Sequence, residues 1–267
     1  MYTHLAMDLD GTLLNSQKEI PPSTLEALLQ AQRRGKRLIL CTGRPTYGAM
    51  PTAQQLQMHQ NGGILITYNG GMIIDCETLQ VWSQHLVQPD IIPHFYQYAR
   101  ANALTLVSYK DDCIISENAD DPYVRYVATI NRMPSITVPS ILDVLRFPVP
   151  KCLIVGDPSR IATLEQTIQC HIKGHANAFR SEPFLLELVP TGIDKGVALH
   201  ELSQLINLSP SQLIACGDGF NDIPMLRYAG LGVAMANAQP TVRQAADLVT
   251  LSNDQEGLVP IISQYLA

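Results

Sequence analysis

Asp8 and Asp10 stand one residue apart at the end of a short apolar run near the N-terminus, in the stretch AMDLDGTLLN. Two carboxylates this close repel each other unless a cation lies between them. Mg²⁺ suits such a position because it takes oxygen ligands, usually one or two carboxylates together with water and substrate phosphate. The pair therefore indicates a magnesium site, although an isolated Asp-x-Asp is more often a turn or a helix cap.

Polar residues follow two further apolar runs. Thr42 and Gly43 come after KRLILC, while Asp218, Asn221 and Asp222 come after LIAC. Ligands of open parallel sheets bind outside the carboxyl ends of the strands, so these strand ends and the first one can form a single site. A threonine hydroxyl and a glycine N–H at the entrance to a helix suit phosphate oxygens. The sequence thus indicates a site that handles phosphate with Mg²⁺.

The elements that would carry these residues alternate between strand and helix. The stretch PPSTLEALLQAQRRG has leucines on one helical face, Ser23 and Glu26 at the spacing of a capping box, and Gly35 as a stop, which predicts a helix. KRLILC is predicted to be a strand buried on both faces, and a strand–helix–strand unit implies parallel strands. Asn69-Gly70 predicts a tight hairpin turn. The alternation resumes in the last third of the chain.

The middle of the chain differs in character from both ends. Strands such as LTLVSY, DCIISE and KCLIVG interleave there with helices and with joints that contain proline. We therefore predict an α/β protein with a Rossmann-like, doubly wound parallel-sheet core, residues 1–83 and 184–267, and an inserted α/β domain, residues 84–183.

The composition limits the classes of function. The 267 residues are 46% hydrophobic and 16% charged, which is typical of a soluble globular protein with a sizeable core. The net charge of -6 and a single short basic run argue against nucleic acid and membrane as partners and favour small molecules. Six cysteines without a C-x-x-C pair suggest buried thiols in a reducing compartment. Without a leader or a membrane-spanning run, we expect a cytoplasmic monomer or small homo-oligomer.

The motifs together resemble those of the haloacid dehalogenase-like phosphatases, specifically the Cof-type branch with a large α/β cap of the C2 type. Residues 8–14 match the first motif, 42–44 the second, 195–196 the third and 217–222 the fourth, in the family's order and at its spacing. The resemblance covers essentially the whole core, including GVAMANA and ADLVTLSNDQEG, and covers the insertion only weakly. It implies that the inserted domain is a cap.

The resemblance also implies a role for each acidic motif residue. Asp8 would be the nucleophile that takes the phosphoryl group as an aspartyl phosphate, and its other oxygen would bind Mg²⁺. Asp10 would be the general acid and then the general base, with a pKa raised toward neutrality, and its backbone carbonyl would ligate the metal. Asp218 would complete the metal site. Thr12 would orient Asp10, and Asp222 would orient the ligands.

A further set of residues is implied to bind phosphate or substrate: Leu9, Thr42, Gly43, Lys195 and Asn221. Among them, Lys195 would supply a positive charge to Asp8 and to the transferring phosphoryl group. Arg44 of the second motif could contact either the substrate or a carboxylate of the core, and the sequence does not choose.

We therefore predict a Mg²⁺-dependent phosphatase that hydrolyses a small phosphomonoester, such as a sugar phosphate, a nucleotide or a cofactor phosphate, through an aspartyl phosphate on Asp8. Two alternatives use the same residues: a phosphosugar mutase and a non-catalytic binder of phosphate ligands. A receiver-like signalling module also clusters acids, a threonine and a lysine, but it has no large insertion and carries its phosphoacceptor elsewhere.

Overall fold

The computed structural model describes residues 1–172 and 174–266, in which fourteen strands, ten α-helices and five short 3-10 helices form. The strands are β1 (His4–Met7), β2 (Arg37–Cys41), β3 (Ile64–Thr67), β4 (Met72–Asp75), β5 (Val81–Gln84), β6 (Thr105–Lys110), β7 (Cys113–Ser116), β8 (Ser135–Thr137), β9 (Cys152–Val155), β10 (Ala176–Glu182), β11 (Leu185–Pro190), β12 (Leu213–Gly217), β13 (Leu231–Ala234) and β14 (Leu248–Val249). The helices are α1 (Pro22–Arg33), α2 (Thr46–Gln55), α3 (Ile92–Ala101), α4 (Pro122–Asn131), α5 (Ile141–Val144), α6 (Pro158–Ile172), α7 (Lys195–Leu205), α8 (Ile223–Tyr228), α9 (Pro240–Ala245) and α10 (Leu258–Tyr265).

The chain divides into two compact units. The core unit comprises Met1–Ser83 and Asp194–Ala267, and the second unit comprises Gln84–Ile193. The sequence placed the second junction at residue 184, ten residues earlier. The difference arises because β11 hydrogen-bonds to β9 and β10 and is therefore a strand of the second unit. That the second unit acts as a cap stays a prediction.

The core unit is built on an eight-stranded sheet in the order β14-β13-β12-β1-β2-β3-β4-β5. The strands from β14 to β3 are parallel, and β4 returns antiparallel to β3. From β1 the chain builds outward through β2 and β3, and later from β12 outward on the other side. The strand order therefore reverses between β1 and β12, which is where sheets of this type bind ligands.

Alternate residues of the core strands pack on opposite faces of this sheet. Leu5 and Met7 of β1 join a hydrophobic cluster that includes Leu28 of α1, whereas Ala6 joins a second cluster that includes Leu199 of α7. Helices thus cover both faces, and this explains why the parallel strands are continuous apolar runs in the sequence. The predicted doubly wound core is confirmed.

The first helix forms where it was predicted, but the predicted capping box was wrong. Pro22 starts α1, a position that tolerates proline because the first N–H groups have no helical partner. Ser23 Oγ donates to Glu256 Oε1 at 3.3 Å, and Glu26 Oε1 accepts from Gln30 Nε2 at 3.1 Å. Tertiary and next-turn partners have replaced the local pair. The predicted hairpin is confirmed, since β3 and β4 pair antiparallel, but residues 68–71 connect them and Tyr68–Gly70 form a 3-10 helix.

The second unit contains a six-stranded sheet in the order β10-β11-β9-β6-β7-β8. Its strands pair antiparallel except for β7 and β8, which are parallel. A hydrophobic cluster joins this sheet to α3 and α6, with Phe95 and Ile161 fully buried beside Ile154 of β9. The inserted segment is therefore α/β, as predicted.

The cysteines of the chain are free thiols. Cys41, Cys76, Cys152 and Cys216 are buried, whereas Cys170 is exposed. The expectation of buried thiols thus holds for four of the six.

No helix in residues 1–172 and 174–266 combines the length and the apolar character needed to cross a bilayer.

Candidate active site

Neighbouring strands of the core sheet deliver the motif residues to one edge, at the reversal of the strand order. Asp8 follows β1, and its N–H donates to the carbonyl of Cys216 in β12 at 3.0 Å. Asp218 follows β12 directly. On the other side of β1, Thr42 follows β2, and its N–H donates to the carbonyl of Ile66 in β3 at 2.8 Å. The strand ends predicted to form one site therefore lie together.

A tight turn after Asp8 brings the next residues against Asp218. The N–H of Leu13 donates to the carbonyl of Asp8 at 3.2 Å. Gly11 has a φ of +86°, and a Cβ there would overlap the carboxylate of Asp218, so only glycine fits on both counts. Thr12 Oγ1 donates to Asp218 Oδ1 at 2.7 Å. Thr12 was expected to orient Asp10, but its hydroxyl holds Asp218, because the turn directs it toward β12.

Lys195 is a buried cation between two carboxylates. Its Nζ donates to Asp8 Oδ1 at 2.6 Å and to Asp222 Oδ1 at 2.6 Å, and its side chain has no exposed surface. Burial by itself would lower the pKa of Lys195, but Asp222 and Asp8 outweigh burial and raise the pKa above its ordinary value. The two carboxylates therefore favour the charged form of Lys195 beside the predicted nucleophile.

The helix that begins with Lys195 depends on close packing. Asp194 caps α7 by accepting a hydrogen bond from the N–H of Val197 at 2.8 Å. Gly196 faces the start of α8, where a Cβ would lie 2.6 Å from the carbonyl oxygen of Pro224. The Lys-Gly pair thus lets α7 approach α8 closely enough for Lys195 to reach Asp222.

Asp222 is an organising residue rather than an open ligand. Its Oδ2 accepts from the N–H groups of Asp218 and Gly219 at 2.9 and 2.8 Å, and its Oδ1 accepts from Lys195. Both oxygens of this buried carboxylate are therefore engaged. This arrangement fits the expected orienting role, because Asp222 fixes the loop that carries Asp218.

Two carboxylates of the site have raised pKa values. Burial raises the pKa of Asp8 well above its ordinary value, and Asp222 and Asp218 add to this rise while Lys195 opposes it. Burial also raises the pKa of Asp218 to about 6, against the hydrogen bond from Thr12. Ionising both carboxylates is unfavourable without a further positive charge. A cation bound between them would therefore be stabilised.

The donor set fits Mg²⁺. Asp8, Asp218 and Asp222 each offer one oxygen, and these three oxygens lie within 4.8 Å of one another. Asp222 is engaged by its own hydrogen bonds, but Asp8 Oδ2 and Asp218 Oδ2 accept no hydrogen bond from any residue in the described part of the chain. Proteins usually bind Mg²⁺ through one or two carboxylates, while water and substrate phosphate supply the other ligands.

The side chain of Asp10 lies outside this acidic cluster. Arg44 donates to it through Nε and Nη2, each at 2.7 Å, and Lys18 Nζ donates to Asp10 Oδ1 at 2.7 Å. Burial tends to raise the pKa of Asp10, but the hydrogen bonds and charges of Arg44 and Lys18 outweigh it and lower the pKa. The expected rise toward neutrality is therefore wrong for this arrangement. Arg44 contacts a carboxylate, one of the two partners the sequence left open.

Asn69 links the residues expected to bind phosphate, and sequence reasoning missed it. Its Oδ1 accepts from Asn221 Nδ2 at 2.9 Å, and its N–H donates to the carbonyl of Thr42 at 3.0 Å. A Cβ on Gly43 would lie 3.0 Å from the same Oδ1. The available signal is the position of the Asn-Gly pair directly after β3, because the end of a parallel strand can contribute to a site as well as to a turn.

Leu9 has a fully buried side chain in the hydrophobic core. Only its main chain is therefore suited to the phosphate contact expected of it.

The chain belongs to the haloacid dehalogenase-like hydrolase family, whose model matches residues 5–262. The predicted family and enzyme class are thus confirmed. The chain is 29% identical to “Putative phosphatase YxeH” of Bacillus subtilis, over 100% of this chain and 99% of that protein. It is 25% identical to the 5-amino-6-(5-phospho-D-ribitylamino)uracil phosphatase YitU of Bacillus subtilis, over 98% of this chain and 97% of that protein.

Solved structures support the same assignment. A haloacid dehalogenase-like hydrolase from Bacteroides thetaiotaomicron is 42% identical to this chain, covers 99% of both chains and superposes with a TM-score of 0.95. The fold predicted from the sequence is therefore that of a solved member of the family.

Proposed function

We propose that the protein hydrolyses small phosphomonoesters in a Mg²⁺-dependent reaction, through an aspartyl phosphate on Asp8. The observation that carries the proposal is the buried Lys195 Nζ, which lies 2.6 Å from Asp8 Oδ1 at the edge of the sheet where Asp218 also lies. A carboxylate next to a fixed positive charge is suited to attack a dianionic phosphoryl group, because the lysine offsets the repulsion between the two anions. Membership of a hydrolase family with relatives named as phosphatases supports this chemistry.

The metal would be held by the oxygens that remain available. These are Oδ2 of Asp8 and Oδ2 of Asp218, together with the backbone carbonyl of Asp10 that the family resemblance implies. When bound, Mg²⁺ would neutralise charge on the phosphoryl group. The raised pKa values of Asp8 and Asp218 support the assignment, since a cation would favour the ionised form of both.

Asp8 would act through the oxygen that faces Lys195. Oδ1 would form a bond to phosphorus while the ester oxygen leaves, and a water molecule would then attack phosphorus to release inorganic phosphate and regenerate the carboxylate. Splitting one displacement into two is the advantage of a covalent intermediate. Lys195 would keep a carboxylate partner in both steps, because Asp222 also accepts a hydrogen bond from its Nζ.

Asp10 would donate a proton in the first step and accept a proton in the second. The first step needs a proton on the leaving oxygen, and the second needs a base that takes a proton from water. As a carboxylate held by Arg44 and Lys18, Asp10 is in the form required for the second step. The first step requires that this carboxyl group be protonated once substrate is bound.

Phosphate oxygens would be held opposite Asp8 by Thr42, the N–H of Gly43 and the amide of Asn221. Asn69 supports this role, because it accepts a hydrogen bond from Asn221 and so directs that amide. For the substrate we propose the phosphate ester of a small polar molecule, such as a sugar, a nucleoside or a cofactor, in line with the ribitylamino phosphate named for one relative.

Phosphate release tests the proposal. A panel of phosphomonoesters is assayed with Mg²⁺ or with a chelator, for the wild type, Asp8→Asn and the control Asp143→Asn, which alters an exposed aspartate. We expect release that needs Mg²⁺ and Asp8 and is unchanged in the control. Transfer of phosphate to an isomerised product would indicate a mutase. Stable phosphorylation of the protein without turnover would indicate a signalling module. Binding of the ester without turnover would indicate a non-catalytic phosphate binder.

A further inference from the structure

The ends of two strands in the core sheet carry polar residues that the proposed reaction does not use. β13 pairs parallel with β12, and β14 pairs parallel with β13, so their carboxyl ends lie at the same edge of the sheet as Asp218. Asn237 follows β13 and Asn253 follows β14. Both asparagines therefore lie at the edge where sheets of this type bind ligands.

The side chains of both asparagines donate to the turn that follows Asp8. Asn237 Nδ2 donates to the carbonyl of Gly11 at 2.8 Å, and Asn253 Nδ2 donates to the carbonyl of Leu14 at 2.9 Å. The N–H of Asn253 also donates to Asn237 Oδ1 at 3.1 Å, which orients the amide of Asn237. Asn237 and Asn253, here called the asparagine pair, thus hold the turn at residues 11 and 14 as one unit.

Hydrogen bonds of the main chain keep the asparagine pair in place. The loop after β13 is tied to β12, because the N–H of Met235 donates to the carbonyl of Gly217 at 3.0 Å. The loop after β14 is closed by Thr250 Oγ1, which donates to the carbonyl of Gly257 at 2.6 Å. Asn253 is buried between these two loops and the turn. Holding the turn therefore costs the pair little further loss of side-chain freedom.

The turn connects the asparagine pair to the acidic cluster. Gly11 packs so closely against the carboxylate of Asp218 that a Cβ would overlap it, and Thr12 Oγ1 donates to Asp218 Oδ1 at 2.7 Å. A displacement of the Gly11 carbonyl would move the Thr12 hydroxyl with it and so release the carboxylate of Asp218. The amides of the pair are neutral, so they hold the turn without adding charge to a cluster of three carboxylates.

We propose that Asn237 and Asn253 are positioning residues, which hold the turn of residues 11–14 so that Thr12 keeps Asp218 in the orientation that binds Mg²⁺. This inference rests on the Mg²⁺ site of the proposed function. The asparagine pair would act through Asp218 and would touch neither the metal nor the ester. Residues that orient a metal ligand typically change metal affinity by about 10–100-fold when they are substituted.

The experiment measures the binding of Mg²⁺ alone, by calorimetric titration of the wild type, Asn237→Ala, Asn253→Ala and Asn131→Ala without ester. Asn131 is the matched control, because it is a buried asparagine of the second unit whose Nδ2 donates to the carbonyl of Val127 at 2.8 Å. We expect the Mg²⁺ dissociation constant to rise about tenfold or more in both variants of the asparagine pair. The control should leave that constant unchanged, whatever its effect on stability.

Phosphate release gives a second, independent measurement on the same variants. The Mg²⁺ concentration that gives half the maximal rate should rise by a similar factor in Asn237→Ala and Asn253→Ala. KM for the ester at saturating Mg²⁺ should stay at the wild-type value, because the pair does not contact the ester. A rise in KM with an unchanged Mg²⁺ requirement would overturn the positioning role.

The remaining outcomes separate this inference from the proposed function. Asn237 is exposed, so Asn237→Ala should fold and decides the test even where Asn253→Ala does not fold. An unchanged Mg²⁺ dissociation constant in either folded variant, or an equal rise in the control, would overturn the inference. A wild type that binds Mg²⁺ but releases no phosphate would refute the proposed hydrolysis alone, since the dissociation constants still judge the asparagine pair. A wild type that binds no Mg²⁺ would overturn both.

Discussion

Lys195 is the residue that balances the charges of the candidate site. It is enclosed by protein and bridges Asp8 and Asp222, which are themselves buried. Removing one partner of a buried charged group leaves the others without compensation, which is far more costly than losing an exposed pair. The role of Lys195 in stability can therefore be separated from its role in chemistry.

We expect Lys195→Met to lower the free energy of unfolding by about 3–5 kcal/mol, because two buried carboxylates lose their cation. Lys18→Met is the matched control, since it removes an ion pair whose lysine is 56% exposed, and it should cost no more than about 1 kcal/mol. Urea unfolding of both variants in the absence of Mg²⁺ gives the comparison. Equal losses would contradict the buried ion-pair network.

Asp218 makes the effect of Mg²⁺ depend on pH. Its pKa is raised to about 6 in the fold from a reference of 3.8, so without a cation its contribution to stability is present below the reference value and is lost as pH rises through about 6. A proton also competes with a metal for this carboxylate. We therefore expect Mg²⁺ to raise the unfolding temperature more at pH 7.5 than at pH 5.

Thermal unfolding with and without Mg²⁺ at the two pH values measures this difference. Asp218→Asn is the control, in which most of the gain from Mg²⁺ should disappear, because one ligand oxygen no longer carries charge. A gain of equal size at both pH values would show that Asp218 does not hold the metal.

At the scale of elements, the sequence is most informative where burial dictates pattern. The apolar runs before Asp8, Thr42 and Asp218 are strands buried on both faces. The sequence could therefore predict where these strands end, and that the three ends form one site at the same edge of the sheet. Partners of long or rotatable side chains could not be predicted. Thr12 bonds to Asp218 and Arg44 to Asp10 because tertiary packing decides between several reachable partners.

The contact between α7 and α8 leads to a prediction for Gly196→Ala. The added Cβ would meet the carbonyl of Pro224 at 2.6 Å, so α7 must shift and carry Lys195 away from Asp222. Overpacking of this kind costs about 1–3 kcal/mol. Leu205→Ala, an exposed position of the same helix, should stay within about 0.5 kcal/mol of the wild type.

Urea unfolding and phosphate release are measured side by side for Gly196→Ala and Leu205→Ala. The glycine variant should lose both stability and activity, since both depend on the position of Lys195. A fully active and fully stable Gly196→Ala would show that α7 does not need this close approach.

At the scale of the molecule, the chain forms its core unit from two segments and its second unit from one. The second unit has its own sheet and its own hydrophobic cluster, which are the requirements for independent folding. The sequence predicted the first junction at Ser83 but not the second at Ile193, because a strand pattern does not reveal which sheet the strand joins.

We expect the isolated segment 84–193 to fold without the core unit. Its far-UV circular dichroism should show mixed helix and strand, and its unfolding in urea should be a single cooperative transition. The segment 84–183 is the matched control: it lacks β11, the strand between β9 and β10, and should not unfold cooperatively. A gradual, non-cooperative loss of structure in segment 84–193 would contradict its independence.

The position of β1 in the middle of the core sheet has a consequence for the newly made protein. Its neighbour β2 follows after one helix, but its other neighbour, β12, is translated only after the whole second unit. Until then β1 offers an unpaired apolar edge, a template for association with other chains. We therefore expect the growing chain to depend on holding chaperones at the ribosome, and the candidate active site to form only when synthesis is nearly finished.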